Sequence, residues 1–232
     1  MNYVVSPTPL DLEFSLLGVP VRISAWFWAA GTFLGFGALK AGVPFLMMWL
    51  LVLFVSILVH EMGHALAARY FGQRVNILLY HFGGLAFHSP AGRHLTLTQS
   101  ILVSLAGPMA GFAFFALIMA FEVFGVPMIP RDMGDAFWQL LSFALIQLIY
   151  INLAWGLVNL LPVLPLDGGQ ICRDVCRMIS PFNGVLYAIR IGVVAAGGVA
   201  LLAAFSGNTF VAILFAILCA NNIQMLQAGG RW

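Results

Sequence analysis

Three ionisable side chains lie within the otherwise apolar segment SILVHEMGHALAARYF, residues 56–71. They are His60, Glu61 and His64. An isolated ionisable group inside a membrane span costs about 2.5 to 3.5 kcal/mol on insertion scales, so such groups are rarely kept without a partner. We therefore expect this segment to contain the functional site.

The spacing of the two histidines favours a metal site. Residues four apart stack on one face of a helix, so His60 and His64 can reach a single ion. Glu61 projects about 100° from His60 around the helix axis, which suits contact with a water on the metal better than ligation. This is the HExxH pattern, in which two imidazoles hold zinc and the carboxylate takes a proton from the attacking water. Zinc still needs a third protein ligand and an open position.

The composition indicates a membrane protein. Of the 232 residues, 62% are hydrophobic and only 8% are charged. We predict an all-α polytopic membrane protein that forms a single integral membrane domain over residues 1–232, with the lipid bilayer as a partner. A net charge of +2 provides no basic surface dense enough for nucleic acid, so that partner class is excluded.

Six segments are apolar and long enough to cross a hydrocarbon core of about 30 Å at about 1.5 Å per residue. Eight of the ten Lys and Arg residues fall on one side of this arrangement. The positive-inside rule then predicts a multi-pass protein of the cell membrane, with both termini and the opening of the site in the cytoplasm. The predicted spans lie near residues 23–39, 43–70, 97–121, 136–161, 184–206 and 208–226.

Two segments break the helical pattern. Residues 74–89 hold two short β-prone runs around Gly83 and Gly84, which predicts a membrane-associated β-hairpin with these glycines in its turn. The N-terminal segment DLEFSLLGVPVRIS has a similar extended pattern and is a candidate to pair with the hairpin. After the fourth span, LPVLPLDGG contains prolines and glycines that a continuous helix does not tolerate.

The predicted topology selects a candidate for the third ligand. Asp167 follows the fourth span, on the same side as the half of the second span that carries the histidines. Taken alone, Asp167 in an Asp-Gly pair could equally be a turn residue. The acids of the predicted external loop lie on the opposite side: Glu122, Asp132 and Asp135. The rival histidines lie in loops, where histidines are more often solvent-facing, and rank below Asp167: His81, His88 and His94.

Asn159 is a second polar candidate, eight residues before Asp167 at the end of the fourth span. A buried amide at this point could donate a hydrogen bond to a substrate carbonyl or its oxyanion. It could equally satisfy the polar groups of a broken helix end.

Together these features resemble the site-2 protease family of intramembrane zinc metalloproteases. The resemblance rests on HEMGH from His60, on NLLP from Asn159 followed by PLDGG from Pro165, and on the Gly83-Gly84 hairpin. The small-residue run SLAGPMAG, residues 104–111, is also similar to the third core span of the family. With six predicted spans, the chain is similar to small prokaryotic members without a PDZ or CBS domain.

The resemblance implies a function and a site. Its metal ligands are His60, His64 and Asp167, which hold one zinc ion per chain, and Glu61 is the general base and acid. The implied substrate-side residues are Asn159, Gly83 and Gly84. The family cleaves peptide bonds within or near transmembrane segments, which implies a single-span membrane protein as the substrate and regulated intramembrane proteolysis as the process.

A divalent metal ion transporter, or another metal-binding membrane protein, is the alternative function. Intramembrane His and Asp residues also mark ion pathways. A transport path favours ionisable groups at several depths and often an internal repeat. Here those groups gather at one predicted depth and no repeat is visible, so the protease is the preferred interpretation.

Overall fold

A computed structural model describes residues 8–80, 83–88 and 94–229, with the backbone alone described for 83–88. The predicted fold class, a helical membrane protein with a small β-structure, is confirmed. In chain order the elements are β1 (Leu12–Leu16), β2 (Val19–Ile23), α1 (Ala25–Leu34), α2 (Val43–Tyr70), β3 (Val75–Tyr80), β4 (Gly83–His88), α3 (Leu97–Ala120), α4 (Asp135–Asn159), α5 (Asp167–Ile179), α6 (Gly184–Phe205) and α7 (Thr209–Gln227).

Within the described residues, five helical segments are long and apolar enough to cross a membrane. They are Val43–Tyr70, Leu97–Met128, Asp135–Asn159, Gly184–Phe205 and Thr209–Gln227. Helix α2 has the bounds expected for the second span, and α3, α4, α6 and α7 begin and end within two residues of the later predicted spans.

The structure differs from the prediction at the first span, residues 23–39. Helix α1 has only ten residues, which is about 15 Å of helix against a hydrocarbon core of about 30 Å. The helix ends at Leu34, and the indole of Trp49 packs against the next residue. The packing is close, since a Cβ on Gly35 would lie 2.0 Å from that ring. The same indole donates a hydrogen bond to the Gly31 carbonyl at 2.9 Å.

The four strands form one sheet in the order β1-β2-β3-β4. The N-terminal hairpin joins the second hairpin through a parallel β2–β3 pair, with Val21 opposite Ile77. The turn predicted at Gly83 and Gly84 is wrong, because both glycines lie in β4, opposite Tyr80 and Leu79. That register leaves only residues 81 and 82 between the two strands, and these two lie outside the described residues.

Asp11 connects the sheet to the start of α1. Its carboxylate accepts hydrogen bonds from Arg22 Nε at 2.6 Å and from the Ala25 amide at 3.3 Å, and also from the hydroxyl and amide of Thr8. Burial alone would raise the pKa of Asp11, but these hydrogen bonds outweigh it and lower the pKa to about 2.

The chain divides into two compact units, which comprise the described parts of Met1–His94 with Met109–Gly156, and of Leu95–Pro108 with Leu157–Trp232. The first unit contains the sheet, whose inward side chains alternate along β2 and β3: Val19, Val21, Ile23, Val75, Ile77 and Leu79. The second has a core of Val163, Ala196 and Phe215, on which α6, α7 and the chain before α5 pack.

Candidate metal centre

The two histidines of α2 lie close together and are buried. Their Nε2 atoms are 3.2 Å apart, and their rings meet edge to face. Two nitrogens bound to one tetrahedral zinc at about 2.05 Å would be about 3.3 Å apart, so the observed separation is compatible with two ligands of one ion. Glu61, the next residue after His60, is buried on the same helix.

Asp167 is the first residue of α5, and its side chain is buried. The prolines at 162 and 165 end α4 and prevent a continuous helix, so the chain turns through residues 160–166 before α5 begins. An acid in the first turn of a helix is favoured by the partial positive charge at that end. The sequence thus places a carboxylate at a new helix start, directly after an apolar segment.

The structure brings three of the predicted site residues together. One ligand atom each of His60, His64 and Asp167 lies within 4.8 Å of the other two, and all three residues are buried. Two imidazole nitrogens and one carboxylate oxygen form a donor set that zinc accepts. These residues therefore fit a metal ion.

The rival candidate ligands are either exposed or lie outside the described residues. His94 is exposed, and His81 and the side chain of His88 lie outside the described residues. The acids of the loop that is predicted to be external are exposed: Glu122, Asp132 and Asp135. Asn159 is the last residue of α4 and is buried, and its substrate-side role stays a prediction.

Sequence reasoning missed two buried asparagines. Asn152 on α4 donates from Nδ2 to Ser56 Oγ at 2.9 Å, one helical turn before His60 on α2. Asn222 on α7 donates to the Leu164 carbonyl at 2.7 Å, three residues before Asp167. The available signal was an amide side chain within an apolar helix, where a polar group needs a hydrogen-bond partner.

The family model for peptidase family M50 matches residues 48–144 and 122–205, which include both motifs. The chain belongs to peptidase family M50. The predicted resemblance to site-2 proteases is thereby confirmed.

Named M50 relatives share sequence over much of this chain. A Synechocystis protein provisionally named zinc metalloprotease sll0528 is 33% identical over 77% of this chain and 48% of its own length. Zinc metalloprotease MJ0392 of Methanocaldococcus jannaschii is 26% identical over 92% of this chain and 56% of its own. The match to stage IV sporulation protein FB of Bacillus subtilis is 32% identical over 58% of this chain and 42% of that protein. The M50 chain thus spans about half the length of these relatives.

The fold of the M50 chain is also shared with a solved structure. The site-2 protease from Methanocaldococcus jannaschii superposes with a TM-score of 0.60 at 21% identity. The match covers 93% of this chain and 95% of that one. At this identity the likeness establishes a common fold.

Proposed function

We propose that this M50 chain is an intramembrane zinc metalloprotease, which hydrolyses peptide bonds within or near the transmembrane segments of membrane proteins. The observation that carries the proposal is the buried set of His60, His64 and Asp167, whose ligand atoms lie within 4.8 Å of one another. Helix α2, which supplies both histidines, is long and apolar enough to span a membrane. Peptide hydrolysis is the chemistry for which zinc relatives of this family are named.

In this proposal the two histidines and Asp167 hold one zinc ion. When bound, zinc polarises the scissile carbonyl and makes a water molecule more acidic. Glu61 takes the proton from the attacking water and delivers it to the leaving amine. The burial of Glu61 in an apolar helix keeps bulk water from competing for this proton transfer.

A substrate helix must unwind before it is cut, because its carbonyls are shielded by their own hydrogen bonds. Strand β4 is at one end of the sheet order, so an extended substrate segment can add beside it and satisfy its freed backbone groups. Gly83 and Gly84 begin that strand and place no side chain in the way of an approaching backbone. Asn159 is then proposed to donate a hydrogen bond to the substrate carbonyl.

The deciding experiment compares purified wild-type protein with Glu61→Gln on a panel of single-span membrane proteins in detergent. Loss of the proton carrier should reduce cleavage by about 10²- to 10⁴-fold and leave the zinc content unchanged. The matched control is Glu122→Gln, which alters an exposed acid and should retain both.

Three outcomes contradict the proposal. Undiminished cleavage by Glu61→Gln removes Glu61 as the base, and loss of zinc in that variant makes Glu61 a ligand. Zinc transport across sealed vesicles by a wild-type protein that cleaves no substrate favours the transporter instead.

A further inference from the structure

A buried asparagine of α7 is hydrogen bonded to the backbone that precedes Asp167. Asn222 is fully buried, and its Nδ2 donates to the Leu164 carbonyl at 2.7 Å and to the Leu218 carbonyl at 2.8 Å. Leu164 belongs to residues 160–166, called here the 160–166 loop, which joins α4 to α5. A side chain 58 residues further along the chain therefore binds this loop.

Apolar packing holds the same loop at the neighbouring residue. Val163 is fully buried in a core with Ala196 of α6 and Phe215 of α7. The hydrogen bond from Asn222 adds direction to this packing, because a donor and a carbonyl must align whereas apolar contacts tolerate sliding.

The start of α5 is pressed against the loop. A Cβ on Gly168 would lie 2.1 Å from the Leu160 carbonyl oxygen, and one on Gly169 would lie 2.4 Å from the carbonyl carbon of Val163. Backbone meets backbone here, so the loop cannot move without moving the first turn of α5. Asp167 is the first residue of that turn.

If position 222 served only to pack the helices, an asparagine would be less stable there than an apolar residue. The Oδ1 of Asn222 is buried without a hydrogen-bond partner among the described residues, which destabilises a fold. A Cβ on Gly192 of α6 would lie 2.6 Å from that oxygen, so the neighbouring helix leaves room for the amide. An apolar side chain of similar size would bury no unpaired oxygen, but it would lose the hydrogen bond to the Leu164 carbonyl.

We propose that Asn222 is a positioning residue for Asp167. By holding the Leu164 carbonyl, it fixes the 160–166 loop and hence the place of the Asp167 carboxylate in the metal-binding set. The inference rests on the proposed function, because it requires Asp167 to be a ligand.

The test measures zinc affinity of the full-length protein in detergent by competition with a chelator. Asn222→Leu keeps the approximate size and removes the donor. We expect zinc binding to weaken by about 10- to 100-fold, as for other groups that orient metal ligands, and the visible absorption spectrum of the cobalt-substituted protein to change. The matched control is Asn221→Leu, the same substitution at the neighbouring asparagine of α7, whose side chain is exposed. This control should keep the wild-type affinity and spectrum.

A second variant tests the inference if Asn222→Leu does not fold. Gly192→Ala retains every polar group, and its Cβ would lie 2.6 Å from Asn222 Oδ1 but 3.4 Å from the Pro162 carbonyl oxygen of the loop. It should therefore displace mainly the Asn222 amide and weaken zinc binding by a smaller factor. Wild-type zinc affinity and an unchanged cobalt spectrum in the folded variants, with only the melting temperature lowered, would make Asn222 purely structural and overturn the inference.

Ligand variants separate the two proposals. If His60→Ala and Asp167→Ala lose zinc while the Asn222 and Gly192 variants keep it, only the positioning inference fails. If His60→Ala and Asp167→Ala bind zinc as tightly as the wild type does, the proposed metal site itself is wrong.

Discussion

The close approach of α5 to the 160–166 loop leads to a quantitative prediction for Gly168→Ala. The new Cβ would lie 2.1 Å from the Leu160 carbonyl oxygen and 2.5 Å from that of Leu161. Contacts of this kind are essentially never shorter than 3.0 Å, and no flexible side chain is present to give way. The loop and the first turn of α5 must therefore separate by about 1 Å, a strain that typically costs 1 to 3 kcal/mol.

Replacing glycine by alanine in a helix returns about 0.5 to 1 kcal/mol, so the strain leaves a net destabilisation of about 0 to 2.5 kcal/mol. The control is Gly198→Ala in the middle of α6, where a Cβ meets open space. That variant should be stabilised by about 0.5 to 1 kcal/mol, because it gains helix propensity without a clash.

The assay records thermal unfolding in detergent together with substrate cleavage. A displacement of about 1 Å at a reacting centre can reduce the rate by about 10²-fold, so Gly168→Ala should lose cleavage even where it remains folded. A Gly168→Ala protein that melts like Gly198→Ala and cleaves at the wild-type rate would refute the idea that backbone contact fixes the start of α5.

Three further predictions follow from other parts of the structure. The pKa of Asp11 is about 2 in the folded protein against an ordinary 3.8, so its stabilising contribution is complete above about pH 5 and is lost as the pH falls through 2. Asp11→Asn should therefore flatten the decline of the melting temperature between pH 4 and 2, and a decline as steep as that of the wild type would contradict this. A double-mutant cycle of Ser56→Ala and Asn152→Ala, read by unfolding in detergent, should give a coupling of about 0.6 kcal/mol, whereas a value of zero would mean that their hydrogen bond does not stabilise the helix pair. Proline substitutions at positions 84–87 of β4 test strand addition: where the lost N–H points away from β3, cleavage should fall while the melting temperature stays unchanged. Full cleavage by all four proline variants would argue against strand addition.

Local patterns predicted the parts of this protein that depend on neighbours along the chain. The bounds of α2 follow from an apolar run between Gly42 and the polar residues after Tyr70, and the shared face of His60 and His64 follows from the helical period. The same reasoning was less accurate where a distant residue decides the outcome. Hydropathy alone does not reveal that Trp49 packs where α1 ends.

The hairpin shows the same limit at shorter range. The glycines at 83 and 84 are typical of a turn, yet the register of β3 with β4 places them in a strand. Register depends on which side chains are buried on the sheet, and that depends on the elements packed against it.

By itself, the sequence determined that the chain is a helical membrane protein, and that two imidazoles and a glutamate lie together on one apolar helix. Each of these properties depends on residue type and on separations of a few positions. Only the tertiary structure decided that β2 pairs in parallel with β3, that Asn222 holds the backbone before Asp167, and that the Asp167 carboxylate lies beside the paired histidines. Such encounters join residues that are 56 to 107 positions apart along the chain, and they depend on how whole segments pack, for which no short period in the sequence exists.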